Sequence, residues 1–137
     1  QNISKCYDCG IPVVKPRHVS KNILIMDFEG KDGKPENTLL ESEIDENDYH
    51  QSIELISDLF KKAKLVHGDF SEYNIFKTKN GLKLFDLGSA VDRTHPNTMN
   101  FLKRDINNIT NFFVKRGLTV ENPTDILERI TKWALKN

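Results

Sequence analysis

The sequence predicts an α+β fold that is mainly helical, with a β-hairpin near its centre and a few strands ahead of it. Three observations predict this class. Apolar residues recur at spacings of three and four over residues 45–62, 98–115 and 123–133, as in helices with one buried face. Apart from Asp27, residues 23–28 and residues 65–66 are apolar or β-branched, which is typical of strands. An Asn-Gly pair within residues 74–85 is typical of a hairpin.

The first part of the chain predicts the end of a helix followed by extended segments. Glycine readily adopts the left-handed conformation that ends helices, so the helix should stop at Gly10. Pro12 and Pro16 restrict the next segment to extended or edge positions. We expect a buried strand over residues 23–28 and a loop over residues 29–35, whose glycine spacing is not that of a phosphate-binding loop.

The middle of the chain predicts a helix, a short strand and the hairpin. Asp45 is the expected N-cap of a helix running to about Lys62. Its inner face should carry Tyr49, Ile53, Ile56, Leu59 and Phe60. Leu65-Val66 predicts a very short strand, and residues 74–85 predict the hairpin, with Asn80-Gly81 in a type I′ turn.

Two further helices are expected at the end of the chain. The first covers Thr98 to Lys115 and stops at Gly117. The second starts at the cap Asn122 with Pro123 in the first helical position, where its missing N–H is not needed. Its inner face should carry Ile126, Leu127, Ile130 and Trp133.

Composition limits the functional classes. Twenty Lys and Arg balance twenty Asp and Glu, so the net charge does not indicate a nucleic-acid or membrane surface. The longest apolar run, residues 23–26, is far too short to span a bilayer, and we expect a soluble cytoplasmic chain without a membrane partner. The start at Gln1 suggests a fragment or a processed piece. In 137 residues we expect one compact unit.

The only two cysteines, Cys6 and Cys9, are separated by two residues. This spacing occurs in redox pairs and in halves of zinc sites. No second Cys or His pair stands at zinc-finger spacing, so incidental cysteines are the favoured interpretation. Free thiols suit a reducing compartment.

The chemistry is concentrated in His67-Gly68-Asp69-Phe70-Ser71-Glu72-Tyr73-Asn74 and in Asp86-Leu87-Gly88. Asp69 is expected in a loop, where its carboxylate can orient a hydroxyl nucleophile and accept its proton late in the reaction. Asn74 and Asp86 stand at the two ends of the hairpin and supply a neutral and a charged oxygen ligand for Mg²⁺. Together they predict phosphoryl transfer from ATP of the protein-kinase type, whereas ordinary turn residues are the alternative.

Other residues near this motif allow two interpretations each. His67 could be a general base, but a packing residue that holds the loop is favoured. Asp105 could lie on a solvated helix face or anchor the backbone of the Asp69 loop, and the sequence leaves both open. If residues 29–35 form a hinge, then Met26, Asp27 and Phe28 line an adenine site.

These segments resemble the RIO kinases, a family of atypical protein kinases, and the first, archaeal-like RIO subfamily more than the second. The matches run in order over residues 10–115. They are Gly10-Ile11-Pro12-Val13, residues 22–33, residues 65–74, Asp86 with Ala90-Val91, His95-Pro96-Asn97 and residues 101–108. The resemblance implies a protein-kinase-like C-terminal lobe with remnant N-lobe strands. A partial RIO domain would then cover residues 1–137, with the end of the N-lobe over 1–28, the hinge over 29–36 and the C-lobe over 37–137.

The resemblance also implies a function. Asp69 would be the catalytic Asp, Asn74 and Asp86 would be metal ligands, and Asp86 would itself accept phosphate as an aspartyl-phosphate. Members of the family act as ATP-dependent and Mg²⁺-dependent serine/threonine kinases or ATPases, with Mn²⁺ as a substitute metal. They are associated with maturation of the small ribosomal subunit, which implies a protein substrate and the pre-ribosomal small subunit as partners.

Two departures from the family pattern stand out. Gly88-Ser89 replaces the usual Ser or Pro followed by Gln, so the loop after Asp86 is expected to have a different shape. No Gly-rich loop and no strand Lys with its helix Glu precede the hinge, so we expect a fragment that lacks most of the N-lobe, binds ATP poorly and is inactive alone. A small-molecule kinase of the aminoglycoside or choline type, or a non-catalytic docking lobe, are the alternative functions.

Overall fold

The structure is a computed structural model. It describes residues 2–13, 16–20, 23–26, 30–31, 34–35 and 37–136, and it describes the side chains of residues 5–13 and 37–132. Asp27 and Phe28 of the predicted adenine site lie outside the described residues. Met26 ends a strand, but its side chain lies outside them, as does that of Trp133. Within the described part, no helix is long and apolar enough to cross a membrane.

The N-terminal elements are one short helix and two pairs of antiparallel strands. Helix α1 (Asn2–Asp8) is followed by Gly10 at φ +79°, which confirms the predicted stop. Strand β1 (Pro16–Ser20) pairs with β2 (Ile23–Met26), which confirms the predicted strand over residues 23–26. The loop predicted over residues 29–35 instead contains β3 (Gly30–Lys31) and β4 (Lys34–Pro35), which pair with each other.

Helix α2 (Glu46–Asp58) begins at the predicted N-cap. The Asp45 side chain accepts a hydrogen bond from the backbone N–H of Asp48 at 3.1 Å. The Asp48 side chain in turn accepts one from the backbone N–H of Asp45 at 3.0 Å. A 3-10 turn (Leu39–Glu41) precedes the helix, and a π-helical turn (Leu59–Ala63) follows it. The helix stops at Lys64, whose left-handed φ of 58° ends it about where the apolar pattern predicts.

The predicted hairpin is present as β6 (Ile75–Thr78) and β7 (Gly81–Leu84), but the predicted turn type is wrong. Thr78 pairs with Gly81, so the turn residues are Lys79 and Asn80, and neither has the positive φ that a type I′ turn requires. Gly81 alone takes positive φ, at +112°. The Thr78 hydroxyl accepts from the Asn80 N–H at 3.1 Å and donates to the Gly81 carbonyl at 2.7 Å, which stabilises this alternative turn.

The remaining elements are a strand pair and two helices. Strand β5 (Leu65–Val66) pairs with β8 (Val91–Asp92), and α3 (Thr98–Lys115) and α4 (Pro123–Lys136) match the predicted helices. Gly117 follows α3 at φ +92°, and the Asn122 side chain accepts from the Thr124 N–H at 2.8 Å as the predicted cap of α4.

The core lies between α2, α3, α4 and the hairpin. Its fully buried side chains include Leu102, Ile106, Ile109, Phe113, Ile126 and Ile130 from α3 and α4, and Ile75 and Leu84 from the hairpin. The hairpin is also tied to its neighbours by polar contacts. Leu82 N–H donates to the side chain of Gln51 on α2 at 3.0 Å, and Leu84 N–H donates to the Pro12 carbonyl at 3.0 Å. The hairpin is therefore held in place by α2 and by the segment that follows α1.

Candidate active site

The loop between β5 and β6 is held from below by Asp105, which is buried on α3. The Asp105 carboxylate accepts hydrogen bonds from the backbone N–H groups of Gly68 at 2.8 Å and Phe70 at 3.1 Å. Only 1% of Asp105 is exposed. Of the two interpretations left open by the sequence, the structure therefore supports the anchor, and the solvated-face interpretation is wrong.

Asp105 is a buried carboxylate with a perturbed pKa. Burial is the largest effect and raises its pKa, because removal from water disfavours the charged form. The two backbone N–H groups oppose this effect by stabilising the carboxylate, as does the nearby charge of Arg104. The loop thus supplies the partners that a buried carboxylate needs.

His67 joins the Asp69 loop to the segment that follows the hairpin. Its Nδ1 accepts from the Asp69 N–H at 3.1 Å, so Nε2 carries the proton and donates to the Asp86 carbonyl at 2.5 Å. The ring is 2% exposed and packs edge-on against Phe70. Both ring nitrogens contact backbone groups, which confirms His67 as a packing and positioning residue rather than a base.

Two residues that the sequence interpretation missed contact the same loop. The Ser89 hydroxyl donates to the His67 carbonyl at 3.0 Å, and the Arg104 guanidinium donates to the Gly68 carbonyl. Gly68 has φ +84°, and a Cβ there would lie 3.1 Å from the Ser89 backbone oxygen. One signal was available for Arg104, since it directly precedes the Asp that anchors the loop; no comparable sequence signal marks Ser89.

The three predicted polar residues lie around this loop. Asp69 is exposed, and its backbone carbonyl accepts from the Asn74 side-chain amide at 2.7 Å. That contact uses the Asn74 nitrogen and leaves the side-chain oxygen as the group able to bind a metal. Asp86 is also exposed; its Oδ1 accepts from the Gly88 N–H at 2.9 Å, which leaves Oδ2 without that contact.

The hairpin brings Asn74 and the residue before Asp86 together. The Phe85 N–H donates to the Asn74 carbonyl at 3.4 Å, and Phe85 stacks on Phe76 with ring centroids 4.1 Å apart. The two predicted metal ligands therefore stand at the open end of one hairpin. Their oxygen donors suit a hard cation such as Mg²⁺, which usually keeps water and phosphate oxygens as further ligands.

Other potential metal donors do not cluster in the described part of the chain. Its His, Cys, Asp and Glu side chains include no group of three placed to hold a metal ion. Cys6 is fully buried, and burial, with a smaller effect of nearby Cys9, raises its pKa to about 11. Because the thiolate is the reactive form, Cys6 is a poor nucleophile at neutral pH.

Comparison with known proteins places these features in a family. The RIO domain model matches residues 1–126. A probable serine/threonine-protein kinase RIO1 homolog of Encephalitozoon cuniculi is 35% identical over 133 residues, which is 96% of this chain and 34% of the relative. The RIO-type serine/threonine-protein kinase Rio1 of Thermoplasma acidophilum is 37% identical over 131 residues, which is 96% of this chain and 69% of the relative.

Solved structures show the same kinase-like fold. The Rio2 kinase of Chaetomium thermophilum aligns with a TM-score of 0.72 at 25% identity, over 93% of this chain and 42% of that chain. An ADP/Mg²⁺-phosphoaspartate complex of the same kinase aligns with a TM-score of 0.71 at 24% identity, over 93% and 41%.

The share of each relative that is covered differs. This chain spans about a third of the Encephalitozoon relative and about two thirds of the Thermoplasma one. The family model nevertheless covers almost all of this chain, and it includes the loop, the hairpin and the anchoring helix. The chain therefore belongs to the RIO family of serine/threonine-protein kinases.

Proposed function

We propose that this chain carries the catalytic loop and metal ligands of a RIO-type serine/threonine protein kinase or ATPase that uses ATP and Mg²⁺. One observation carries the proposal. Side chains contact four successive polar backbone groups around Asp69, namely Gly68 N–H and C=O and Asp69 N–H and C=O. Their donors and acceptors come from Asp105, Arg104, His67 and Asn74. Such restraint fixes the backbone that carries the exposed Asp69 carboxylate, which supports catalysis by positioning.

Asp69 is the residue to which we assign orientation of the attacking hydroxyl. In phosphoryl transfer the transition state is loose, so little proton abstraction is needed before the phosphoryl group moves. The Asp69 carboxylate would accept a hydrogen bond from a serine or threonine hydroxyl and take its proton late. For ATP hydrolysis, the same carboxylate would orient a water molecule.

Asn74 and Asp86 are the residues that we assign to Mg²⁺. Their donor set is one amide oxygen and one carboxylate oxygen, and the ion would neutralise charge on the phosphate oxygens when bound. Asp86 is also the proposed phosphate acceptor. Support comes from the Chaetomium Rio2 kinase, which forms a complex with ADP and Mg²⁺ that contains a phosphoaspartate.

The proposed lobes and partners follow the family. Residues 1–28 would end an N-lobe, residues 29–36 would form the hinge, and residues 37–137 would form the C-lobe. Met26, Asp27 and Phe28 remain the proposed adenine-binding residues. We propose a protein substrate, action on the pre-ribosomal small subunit, and the cytoplasm as the location, since reduced Cys6 and Cys9 suit that compartment.

The test uses the full-length protein and radiolabelled ATP. Asp69→Asn and Asp86→Asn should each lower phosphoryl transfer at least about a hundredfold, because each removes a group that acts at the reacting atoms. Asp125→Asn, a change of an exposed carboxylate on α4, is the matched control and should retain activity. Hydroxylamine treatment near neutral pH would separate an aspartyl-phosphate, which it cleaves, from a phosphoserine, which it leaves intact.

Two outcomes would contradict this proposal. If Asp69→Asn left the function of the protein on its partner unchanged, a non-catalytic docking lobe would be favoured. Efficient labelling of an aminoglycoside or choline, without labelling of any protein, would instead favour a small-molecule kinase.

A further inference from the structure

The loop after Asp86 contacts the Asp69 loop through two hydrogen bonds, one from each side. His67 donates to the Asp86 carbonyl at 2.5 Å, and Ser89 donates back to the His67 carbonyl at 3.0 Å. The two contacts join the same pair of segments, and the second one comes from a serine that is exposed. The relative position of the two loops thus depends on the Ser89 hydroxyl as well as on the buried histidine.

Arg104 contacts the next carbonyl in the same loop. Its guanidinium donates to the Gly68 carbonyl and lies over the ring of Phe101, 5.1 Å from the ring centroid. The Phe101 ring in turn stacks on His95 with centroids 5.7 Å apart. Stacking limits the orientations of the guanidinium, so its N–H groups are directed before a substrate arrives.

Gly68 is the place where Ser89 and Arg104 meet. A Cβ built on Gly68 would lie 3.1 Å from the Ser89 carbonyl oxygen and 4.0 Å from Arg104 Nη2. Both residues therefore lie on the same side of the peptide that directly precedes Asp69. Any shift of either one changes the environment of the two carbonyls that lead into Asp69.

We propose that Ser89 and Arg104 form a clamp on the His67 and Gly68 carbonyls, and that this clamp positions Asp69 relative to Asp86. Neither residue touches the reacting atoms, so both are positioning residues. The inference rests on the proposed phosphoryl transfer. It adds that the segment carrying the metal ligand sets the position of the catalytic carboxylate through Ser89.

The first experiment measures steady-state kinetics of the full-length protein. Loss of one hydroxyl contact in Ser89→Ala should lower kcat about fivefold and leave the KM for ATP within about twofold. Ser89→Thr keeps a hydroxyl and should restore most of the rate. Ser42→Ala is the matched control, because Ser42 likewise donates to a backbone carbonyl, that of Thr38 at 2.7 Å, away from the loop.

Arg104 is tested in parallel with its own matched control. Arg104→Met keeps the stem over Phe101 and removes every donor, so kcat should fall about tenfold. Arg116→Met is matched, since Arg116 also lies over a phenylalanine, Phe112, at 4.8 Å and donates to the Ser42 carbonyl at 3.0 Å. Unchanged kcat in Ser89→Ala and Arg104→Met, or an equal loss in both controls, would overturn the clamp.

Amide hydrogen exchange of the same proteins separates the clamp from the proposed activity. In Ser89→Ala, the peptide covering residues 65–74 should exchange at least about threefold faster, while peptides from α4 stay unchanged. Unchanged exchange in residues 65–74 would overturn the clamp even if the kinase is active. If the wild type transfers no phosphate, the proposed function fails, and the exchange measurement still decides whether the clamp exists.

Discussion

The carboxylate of Asp105 accepts a hydrogen bond from the backbone N–H of Gly68 at 2.8 Å, across 37 residues of sequence. The same side chain accepts from the N–H of Phe70 at 3.1 Å, so one buried residue holds the peptide groups on both sides of Asp69. Since α3 is itself packed into the core, Asp105 fixes the position of the Asp69 loop relative to that core.

Asp105→Asn should reduce the free energy of unfolding by about 1–3 kcal/mol, the cost of leaving a buried donor unpaired. An amide has one acceptor oxygen in place of two, so the N–H of either Gly68 or Phe70 loses its partner. Denaturant unfolding of the purified chain measures the change. Asp125→Asn on α4 is the control and should change stability by less than about 0.5 kcal/mol; equal effects of both variants would argue against a buried anchor.

Gly68→Ala should be more harmful than the same change at Gly10. Both glycines have positive φ, +84° and +79°, so both variants lose about 1–2 kcal/mol from backbone strain. Only at Gly68 would the new Cβ meet a backbone atom, the Ser89 oxygen at 3.1 Å; around Gly10 nothing lies within 4 Å.

The difference in unfolding free energy between Gly68→Ala and Gly10→Ala measures the cost of the close contact between Gly68 and the Ser89 segment. We expect at least about 1 kcal/mol of additional destabilisation at Gly68, as for other overpacked sites. Thermal and denaturant unfolding of both variants supply the comparison. Equal losses would show that the Ser89 segment can move away without cost.

Lys77→Met should destabilise the fold by about 2–3 kcal/mol, because it leaves a buried carboxylate without its counter-charge. Lys77 Nζ lies 2.8 Å from Asp48 Oδ2, and the side chains are 33% and 5% exposed. The same ammonium donates to the Glu43 carbonyl at 2.7 Å and thereby connects the hairpin to the segment that precedes α2.

Lys62→Met provides the matched comparison, because Lys62 also pairs with an aspartate, Asp58 at the end of α2. Its ion pair with Asp58 is 3.7 Å long, and the Lys62 side chain is 55% exposed. Exposed pairs of this kind contribute little, so the variant should lie within about 0.5 kcal/mol of the wild type. A Lys62→Met loss as large as that of Lys77→Met would contradict the assigned difference in burial.

Glu121→Gln should alter the dependence of stability on pH. The hydrogen bond from Arg129, with Nη1 2.5 Å from Glu121 Oε2, lowers the pKa of Glu121 below its ordinary value of 4.5. The charged Glu121 carboxylate therefore stabilises the fold at pH values above its pKa in the unfolded chain. This contribution is lost as the pH falls through its lower pKa in the folded protein.

The expected effect is small because both side chains are substantially exposed. At pH 7 the wild type should exceed Glu121→Gln by about 0.5 kcal/mol, and the two stabilities should converge well below pH 4.5. High salt should reduce the difference at pH 7 through screening. A difference that persists unchanged into acid would show that the carboxylate charge is not the cause.

Much of the fold follows from local sequence. Asp45 and Asn122 cap their helices, and Gly10 and Gly117 end theirs, as predicted, because capping depends on a few adjacent residues. The hairpin was also predicted, but its turn was not. Asn80-Gly81 favours a type I′ turn, whereas the Thr78 hydroxyl and the pairing of Thr78 with Gly81 place the turn one residue earlier.

The sequence by itself determined the order of the three long helices and the hairpin, the family and the chemical character of Asp69, Asn74 and Asp86, since periodicity, caps and motif spacing are all local. Tertiary structure alone decided which groups Asp105, Arg104 and Ser89 contact. An aspartate on a helix has the same sequence signature whether water or a loop covers it. Only the packing of α3 beneath residues 67–70 removes Asp105 from water and supplies two N–H groups in its place.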